Sequence, residues 1–256
     1  MGFRRDSLFR GLQMSLFIKD LEFSYDRNRV INKVSIESNA STLGLLGPNG
    51  SGKTTLIKLI GGLLKSEKGT ILLDDNCINS LNSKQLSKII AFVSQDHEPT
   101  FGFNVEEVIE MGRYPFMGTF GFISKEDKNI IDKIIELLGI GHLKKIITEE
   151  LSSGEKQKVR FARALAQEPR YILLDEPTSN LDLSNKSLVL KVIKEIVNYG
   201  TDIIITSHDL SFIEQSTDCC IMLSEGDVLF EGKTKEILTE ENIKKLYRID
   251  TIPKWI

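Results

Sequence analysis

The sequence predicts an α/β fold: a mainly parallel sheet with flanking helices, an N-terminal antiparallel β subdomain and an inserted helical subdomain. Short apolar runs bounded by polar residues or glycine alternate with helical patterns, as expected for buried parallel strands joined by crossover helices. The runs are TLGLLG, GTILLD, IIAFVS, YILLD, DIIIT and CCIML. Residues 16–46 read instead as antiparallel strands without a long helix, and residues 96–167 are nearly all helical in pattern.

Helices are predicted between these strands. One predicted helix, KTTLIKLIGGLL, follows a glycine-rich turn. Another, KSLVLKVIKEIVNYG, is predicted to end at Gly200, because glycine commonly terminates helices. Within residues 96–167, SKEDKNIIDKIIELLG begins with a capping box from Ser124 to Asp127. We interpret residues 14–256 as one domain, and residues 1–13 as a loose extension or the product of an upstream start codon.

The composition is that of a globular protein without a membrane-spanning segment. The 256 residues carry a formal net charge of -3, which argues against a chain whose main partner is nucleic acid. The three cysteines lack C-x-x-C spacing and the three histidines are scattered, so no zinc site is expected and a reducing, cytoplasmic location fits best. No apolar run approaches the roughly 18 residues needed to cross a bilayer.

The stretch GLLGPNGSGKTTL contains a complete phosphate-binding motif, G-x-x-x-x-G-K-S/T. It follows a predicted strand and precedes a predicted helix, so its backbone N–H groups and the positive helix end can surround phosphates. Lys53 is expected to reach the β- and γ-phosphate oxygens, and Thr54 to offer its hydroxyl to Mg²⁺. The motif predicts a P-loop nucleotide-hydrolase core, with phosphate-binding residues Gly47, Pro48, Asn49, Gly50, Ser51, Gly52, Lys53, Thr54 and Thr55.

A pair of acidic residues ends another predicted strand, in YILLDEP. Asp175 falls at the carboxyl edge of the sheet, beside the phosphate loop, where it can hold Mg²⁺ through water. Glu176 follows directly and is expected to orient and polarise the attacking water. Together with the phosphate loop, this pair predicts a Mg²⁺-dependent nucleotidase.

From about Leu16 to the C-terminus, the chain resembles the ATPase subunits of ABC transporters. Besides the two motifs above, that family has an aromatic residue before the phosphate loop, a glutamine after a strand, an LSGGQ-type sequence, an S-x-L-D turn and a late histidine. The corresponding features here are Tyr25, Gln95 in FVSQD, LSSGEKQ, SNLD at residues 179–182 and His208 in TSHD. All of these features occur in the family's order.

The resemblance implies a role for each matched residue. Tyr25 would stack on adenine, and Gln95 would join Thr54 and Asp175 as a Mg²⁺ ligand while sensing the membrane partner. His208 would contact the γ-phosphate and Glu176.

The resemblance also implies that the LSGGQ-type helix points across a head-to-tail dimer at ATP held by a second copy of the chain. The trans contacts would be Ser152, Ser153, Gly154 and Glu155, with Asp182 communicating between the two sites. Ser153 stands where the family usually has glycine, and Glu155 where it commonly has glutamine. The added hydroxymethyl group of Ser153 is expected to weaken the dimer or to require a small shift.

The segment FGFNVEEVIEMGRYPFMGTFG resembles importer ATPases for ferric siderophores, haem and cobalamin, although Phe116 replaces a common histidine. A short helix capped by Asn104 is expected to break at Gly112. We expect residues 105–116, with Gln95 just before them, to form a groove for a cytoplasmic helix of a permease. In this groove Arg113, Tyr114 and Phe116 would make the contacts. The alternative is that these aromatics pack inside the helical subdomain.

The function predicted by the resemblance is ATP hydrolysis that powers metal-chelate import. The expected partners are a second copy of the chain, separate membrane permease subunits and, indirectly, a solute-binding protein; no nucleic acid is expected. The expected location is the cytoplasmic face of the cell membrane, held peripherally. A soluble regulatory or assembly ATPase stays open as an alternative, whereas DNA-repair ATPases are disfavoured because no heptad coiled coil separates the motifs.

Overall fold

Two sheets form the framework of the chain. The computed structural model describes residues 14–94, 102–118, 121–179 and 181–251. The predicted N-terminal extension, residues 1–13, and the predicted metal ligand Gln95 lie outside this range. The strands are β1 (Leu16–Tyr25), β2 (Asn28–Ser38), β3 (Thr42–Leu46), β4 (Lys68–Leu73), β5 (Asn76–Cys77), β6 (Ile90–Val93), β7 (Tyr171–Asp175), β8 (Asp202–Ser207), β9 (Cys219–Ser224) and β10 (Asp227–Lys233).

The smaller sheet is antiparallel and has the order β2-β1-β4-β5. The pattern of GTILLD predicts a strand of the parallel sheet, and that prediction is wrong, because β4 pairs antiparallel with β1. Its burial explains the difference: Ile71 and Leu73 are buried, while Thr70 is exposed and Leu72 only partly covered. A strand with one covered face suits an antiparallel sheet, whereas parallel strands are usually buried on both faces.

The larger sheet has the order β10-β9-β3-β8-β7-β6 and is parallel except for the edge strand β10. Every residue of β3, β7 and β8 is buried. Successive side chains point to opposite faces, so Ile172 and Leu174 join one hydrophobic cluster and Leu173 joins another. Because β3, β7 and β8 run in the same direction, the residues that follow them meet at one edge of this sheet.

The helices are α1 (Lys53–Ile60), α2 (Ser83–Ile89), α3 (Val105–Glu110), α4 (Lys125–Leu137), α5 (Ser153–Ala166), α6 (Leu183–Asn198), α7 (Leu210–Ser216), α8 (Thr234–Ile237) and α9 (Glu240–Tyr247). Helix α1 lies in the hydrophobic cluster shared by the two sheets. Helices α3 to α7 pack in the cluster on the opposite face of the parallel sheet. Among the described residues, no helix combines the length and apolar character that a bilayer crossing requires.

The stretch between β6 and β7 contains α3, α4 and α5, joined by short 3-10 turns, in agreement with the predicted fold class. The capping predictions are confirmed: Ser124 and Asp127 form a capping box at α4, and Asn104 with Glu107 forms one at α3. The chain then passes through a 3-10 turn at Met111–Phe116. The exact limits of the helical subdomain, 96–167, stay a prediction.

Arg113 in this turn is buried, which contradicts the prediction from the sequence. The segment predicts an Arg113 side chain at a docking surface, yet Arg113 is only 4% exposed. Its Nε lies 2.8 Å from Oδ1 of Asp127, and its Nη1 lies 2.9 Å from Oε2 of Glu168. Arg113 therefore joins the turn to α4 and to the end of α5, because a buried guanidinium needs charged partners.

Candidate active site

The phosphate loop connects the end of β3 to the start of α1. Gly52 is the N-cap of α1 and has φ 101, a left-handed conformation that glycine adopts without steric cost. The backbone N–H groups at the beginning of α1 have no helical acceptors, so they are available to an anion. Beside them lies a cleft of about 430 Å³, lined by residues 49–55, Val30, Glu176, Ser179 and His208.

One buried polar atom of the loop supports phosphate binding. Ser51 is 2% exposed, and its Oγ has no hydrogen-bond partner among the described residues. A buried hydroxyl without a partner is costly in a folded protein. The loop therefore offers a donor that a phosphate oxygen in the adjoining cleft could satisfy.

Lys53 is buried at the base of the cleft, with 5% exposure. Its Nζ donates to the carbonyl oxygens of Gly47 at 2.8 Å and Pro48 at 3.1 Å, and lies 3.7 Å from Oε1 of Glu176. Burial lowers the pKa of Lys53, and the nearby carboxylates of Glu176 and Asp175 oppose that shift. An amine held by neutral carbonyls and one distant carboxylate can exchange these contacts for phosphate oxygens.

Asp175 at the end of β7 is surrounded by hydroxyl groups. The hydroxyl of Thr54 donates to Oδ1 of Asp175 at 3.0 Å, and that of Thr206 donates to the same oxygen at 2.6 Å. Thr206 is the register partner of Asp175 on β8. The pair of Thr54 and Asp175 thus presents oxygen donors side by side, which is the chemistry that Mg²⁺ prefers.

Glu176 has a strained backbone. Its φ is 50, a left-handed value that is uncommon for residues other than glycine. Its N–H is held by Thr206, through the carbonyl oxygen at 3.2 Å and the hydroxyl oxygen at 2.9 Å. This backbone turn directs the carboxylate into the cleft, where Oε2 lies 2.9 Å from Nδ1 of His208.

His208 follows β8, and contacts on several sides hold its segment. Asp209 caps α7 through the N–H of Phe212, and its other oxygen pairs with Nζ of Lys186 on α6 at 2.6 Å. From α9, the hydroxyl of Tyr247 donates to the carbonyl oxygen of His208 at 3.1 Å. The structure thus brings Lys53, Glu176 and His208 together, as the sequence predicted.

Two residues that contact this site, Thr206 and Tyr247, are not predicted from the sequence. Thr206 stands two positions before His208, and its place on a strand next to Asp175 was the available signal. No motif pointed to Tyr247, because its contact depends on how the last helix packs. Tyr25, by contrast, lies outside the lining of the cleft; it is 45% exposed and makes an edge-to-face contact with Phe23.

The start of α5 forms a separate surface. Ser152 caps the helix and forms a capping box with Glu155, whose carboxylate accepts from the Ser152 hydroxyl at 2.6 Å. Hydrogen bonds from Ser152 lower the pKa of Glu155. Asp182 likewise caps α6, where its side chain accepts from the N–H of Asn185 at 2.8 Å. None of the predicted trans contacts, at 152–155 and 182, lines the cleft of their own chain.

Asn185, near the start of α6, contacts the start of α5. Its Nδ2 lies 3.5 Å from the Ser153 hydroxyl. A Cβ added at Gly154 would meet Asn185 Oδ1 at 2.2 Å. A larger residue at position 154 would therefore displace the Asn185 amide, whereas the Ser153 side chain is exposed.

A phosphate loop, two acids at the end of a nearby strand and a histidine directly after the strand between them define a P-loop ATPase. The family model described as ABC transporter matches residues 31–179. An uncharacterized ABC transporter ATP-binding protein of Methanocaldococcus jannaschii is 38% identical over 93% of this chain and 92% of that protein. The chain belongs to the ABC transporter ATP-binding family, and its activity is ATP hydrolysis.

Relatives with transport names match over most of the chain. An iron(3+)-hydroxamate import ATP-binding protein of Bacillus subtilis is 31% identical over 92% of this chain and 88% of that protein. Hemin and cobalamin import ATP-binding proteins are also among the relatives. The solved structure of cbiO1 from Clostridium perfringens, part of the ABC transporter complex cbiONQ, superposes with a TM-score of 0.78. It is 28% identical, and the match covers 91% of this chain and 94% of that chain.

Proposed function

We propose that this ATPase powers the import of a metal chelate, of the ferric siderophore, haem or cobalamin type, through a separate membrane permease. The observation that carries the hydrolytic part is the position of Glu176 between Lys53 and His208 at one cleft. The import part is supported by the transport names of the relatives and by the GRYP segment. The protein would then be held peripherally at the cytoplasmic face of the membrane.

In the proposed hydrolysis of ATP, each residue of the cleft has a distinct role. The phosphate loop and Lys53 bind the β- and γ-phosphates, and Tyr25 stacks on the adenine. Glu176 orients a water molecule and accepts its proton as the water oxygen attacks the γ-phosphorus. The bond from that phosphorus to the bridging oxygen breaks, and ADP leaves. His208 holds the Glu176 carboxylate through Nδ1 and contacts the γ-phosphate.

Thr54 and Asp175 would hold Mg²⁺, with Gln95 as a third ligand. Bound Mg²⁺ would neutralise charge on the phosphate oxygens. The adjacent oxygens of Thr54 and Asp175 fit that ion, as their 3.0 Å separation indicates.

A second copy of the chain would complete the site. Ser152, Ser153, Gly154 and Glu155 begin a helix of 14 residues, whose positive end can bind an anion. Because these residues and Asp182 lie off the cleft of their own chain, they are available to ATP held by the other copy. ATP would therefore join two copies head to tail, and hydrolysis would weaken the contact.

The permease would dock on the exposed aromatics of the turn after α3. Tyr114 is 61% exposed and Phe116 40% exposed. Arg113 no longer belongs to this surface; its guanidinium lies 4.3 Å from the Phe116 ring centre and supports that ring from the inside. The revised docking surface therefore consists of Tyr114 and Phe116, with exposed Phe103 nearby in sequence.

The hydrolytic part is tested by Lys53→Ala, which removes the amine from the phosphate site. We expect Mg²⁺-dependent phosphate release to fall to the background of the assay. A variant with the turnover of the unmodified chain would contradict the site. Tyr199→Phe, at the far end of α6, is the matched control for handling and folding.

The import part is tested in proteoliposomes that contain the permease from the neighbouring genes. Tyr114→Ala is expected to retain basal ATPase activity and melting temperature but to lose stimulation by the chelate-loaded receptor. If no permease binds the unmodified chain, and its ATPase activity is the same with and without membranes, the soluble regulatory alternative is favoured.

A further inference from the structure

Helix α9 contacts the catalytic segment at its last residue. The hydroxyl of Tyr247 donates to the backbone carbonyl of His208 at 3.1 Å, across 39 positions of sequence. This carbonyl belongs to the peptide that links His208 to Asp209, the cap of α7. The orientation of that peptide determines the direction of the His208 Cα–Cβ bond. The hydrogen bond from Tyr247 therefore affects the position of the imidazole, whose Nδ1 lies 2.9 Å from Oε2 of Glu176.

The packing around Tyr247 holds its side chain in place, and the phenol remains protonated. Leu246 beside it is 1% exposed and belongs to the main hydrophobic cluster, against which the Tyr247 ring also packs. Burial, with the negative charges of Glu176 and Asp209 nearby, raises the pKa of Tyr247 to about 12. The phenol therefore stays protonated at neutral pH and remains a hydrogen-bond donor.

The end of α9 also contacts the turn that packs against the phosphate loop. Arg248 adopts a left-handed conformation that ends the helix, and its guanidinium lies 2.6 Å from Glu225. Glu225 precedes Gly226, whose N–H donates to the carbonyl oxygen of Ser51 at 3.1 Å. The last turn of α9 thus contacts the histidine segment directly and the phosphate loop through one intervening turn.

We propose that Tyr247 is a positioning residue for ATP hydrolysis: its hydrogen bond to the His208 carbonyl holds the imidazole in register with Glu176. The inference rests on the hydrolytic function proposed above. It assigns helix α9 to the catalytic apparatus, although Tyr247 does not line the cleft. Loss of the hydroxyl would act on the chemical step and spare ATP binding, because the phosphate loop keeps its own contacts.

The test uses steady-state phosphate release by the full chain with Tyr247→Phe, which keeps the ring and removes the donor. We expect kcat to fall about three- to tenfold, the range that one net hydrogen bond is worth in a rate constant. The KM for ATP should change by less than about twofold, and the melting temperature by less than about 3 °C. Tyr199→Phe is the matched control and should keep the kcat of the unmodified chain, because Tyr199 lies outside the lining of the cleft.

A double-mutant cycle separates positioning from general packing. In a His208→Ala background, Tyr247→Phe should cause no further loss of kcat, because the group it positions is gone. The inference is overturned by an unchanged kcat in Tyr247→Phe, by an equal fold loss with and without His208, or by a rise in KM that accounts for the whole effect.

Failure of the inference is distinguishable from failure of the proposed function. If the unmodified chain releases no more phosphate than Lys53→Ala, the hydrolytic assignment itself is wrong. If turnover depends on Lys53 and His208 but not on the Tyr247 hydroxyl, only the positioning role is wrong.

Discussion

Replacing Arg113 by methionine should destabilise the whole domain, although this residue lies beside the proposed docking surface. Arg113→Met keeps a long side chain and removes three polar contacts: the ion pairs with Asp127 and Glu168, and a hydrogen bond of 2.7 Å to the Ala166 carbonyl. Removing one partner of a buried ion pair typically costs about 3–5 kcal/mol. Asp127 retains hydrogen bonds from the Ser124 N–H and hydroxyl, so the lower end of that range applies.

A loss of about 3 kcal/mol corresponds to a melting temperature lowered by about 6–12 °C for a domain of this size. Thermal unfolding followed by circular dichroism measures it. Arg29→Met is the matched control, because Arg29 is half exposed and its partner Glu22 keeps a second ion pair with Lys68. The control should melt within about 2 °C of the unmodified chain. Equal melting temperatures for the two variants would refute the buried network.

The pH dependence gives a second measure of the same network. Burial raises the pKa of Asp127, but the hydrogen bonds from Ser124 and the ion pair with Arg113 outweigh it, so the net pKa lies below 3.8. A carboxyl with a lowered folded-state pKa contributes stability above its unfolded pKa and loses it as pH falls through the folded value. The stability difference between the unmodified chain and Arg113→Met should therefore be largest near neutral pH and narrow below about pH 3.8. A constant difference would contradict the assignment.

Three further predictions concern the active site. Glu176→Gln should leave ATP binding intact, lower turnover by about 10²–10⁴-fold and retain an ATP-bound dimer in size-exclusion chromatography; normal turnover would contradict the base assignment. Thr206→Val removes the buried hydroxyl that donates to Asp175, so the free energy of unfolding should fall by about 1–3 kcal/mol. The Mg²⁺ concentration for half-maximal activity should rise, and an unchanged Mg²⁺ titration would contradict this role. Ser153→Gly should tighten ATP-dependent dimerisation or leave it equal, as analytical ultracentrifugation can measure, whereas marked weakening would identify the serine hydroxyl as a ligand.

The catalytic side chains could be predicted from sequence because each follows a strand that ends at the same sheet edge. Lys53 comes after β3, Glu176 after β7 and His208 after β8, and parallel neighbours bring their ends together. Short apolar runs, however, do not tell which sheet a strand joins. GTILLD was misassigned for this reason, since its pairing with β1 depends on which of its faces is covered.

Contacts between distant elements could not be predicted from the local pattern. Arg113 was placed at a surface because arginine is common in interfaces. Its actual position depends on Asp127 and Glu168, which become its neighbours only when α4 and α5 pack. Tyr247 shows the same limit, because nothing in the sequence around it indicates that α9 ends against His208.

Gly112 in the turn after α3 packs closely against helix α5. A Cβ added at Gly112 would lie 2.3 Å from the carbonyl oxygen of Arg163, near the end of α5. Helix α5 has 14 residues, about 21 Å of rigid rod at the helical rise, and its other end begins at Ser153. If a permease helix docks on the turn at Met111–Phe116, as proposed, its displacement would therefore act directly on the end of α5. Through α5 it would act on Ser153, where the proposed contact with a second copy begins.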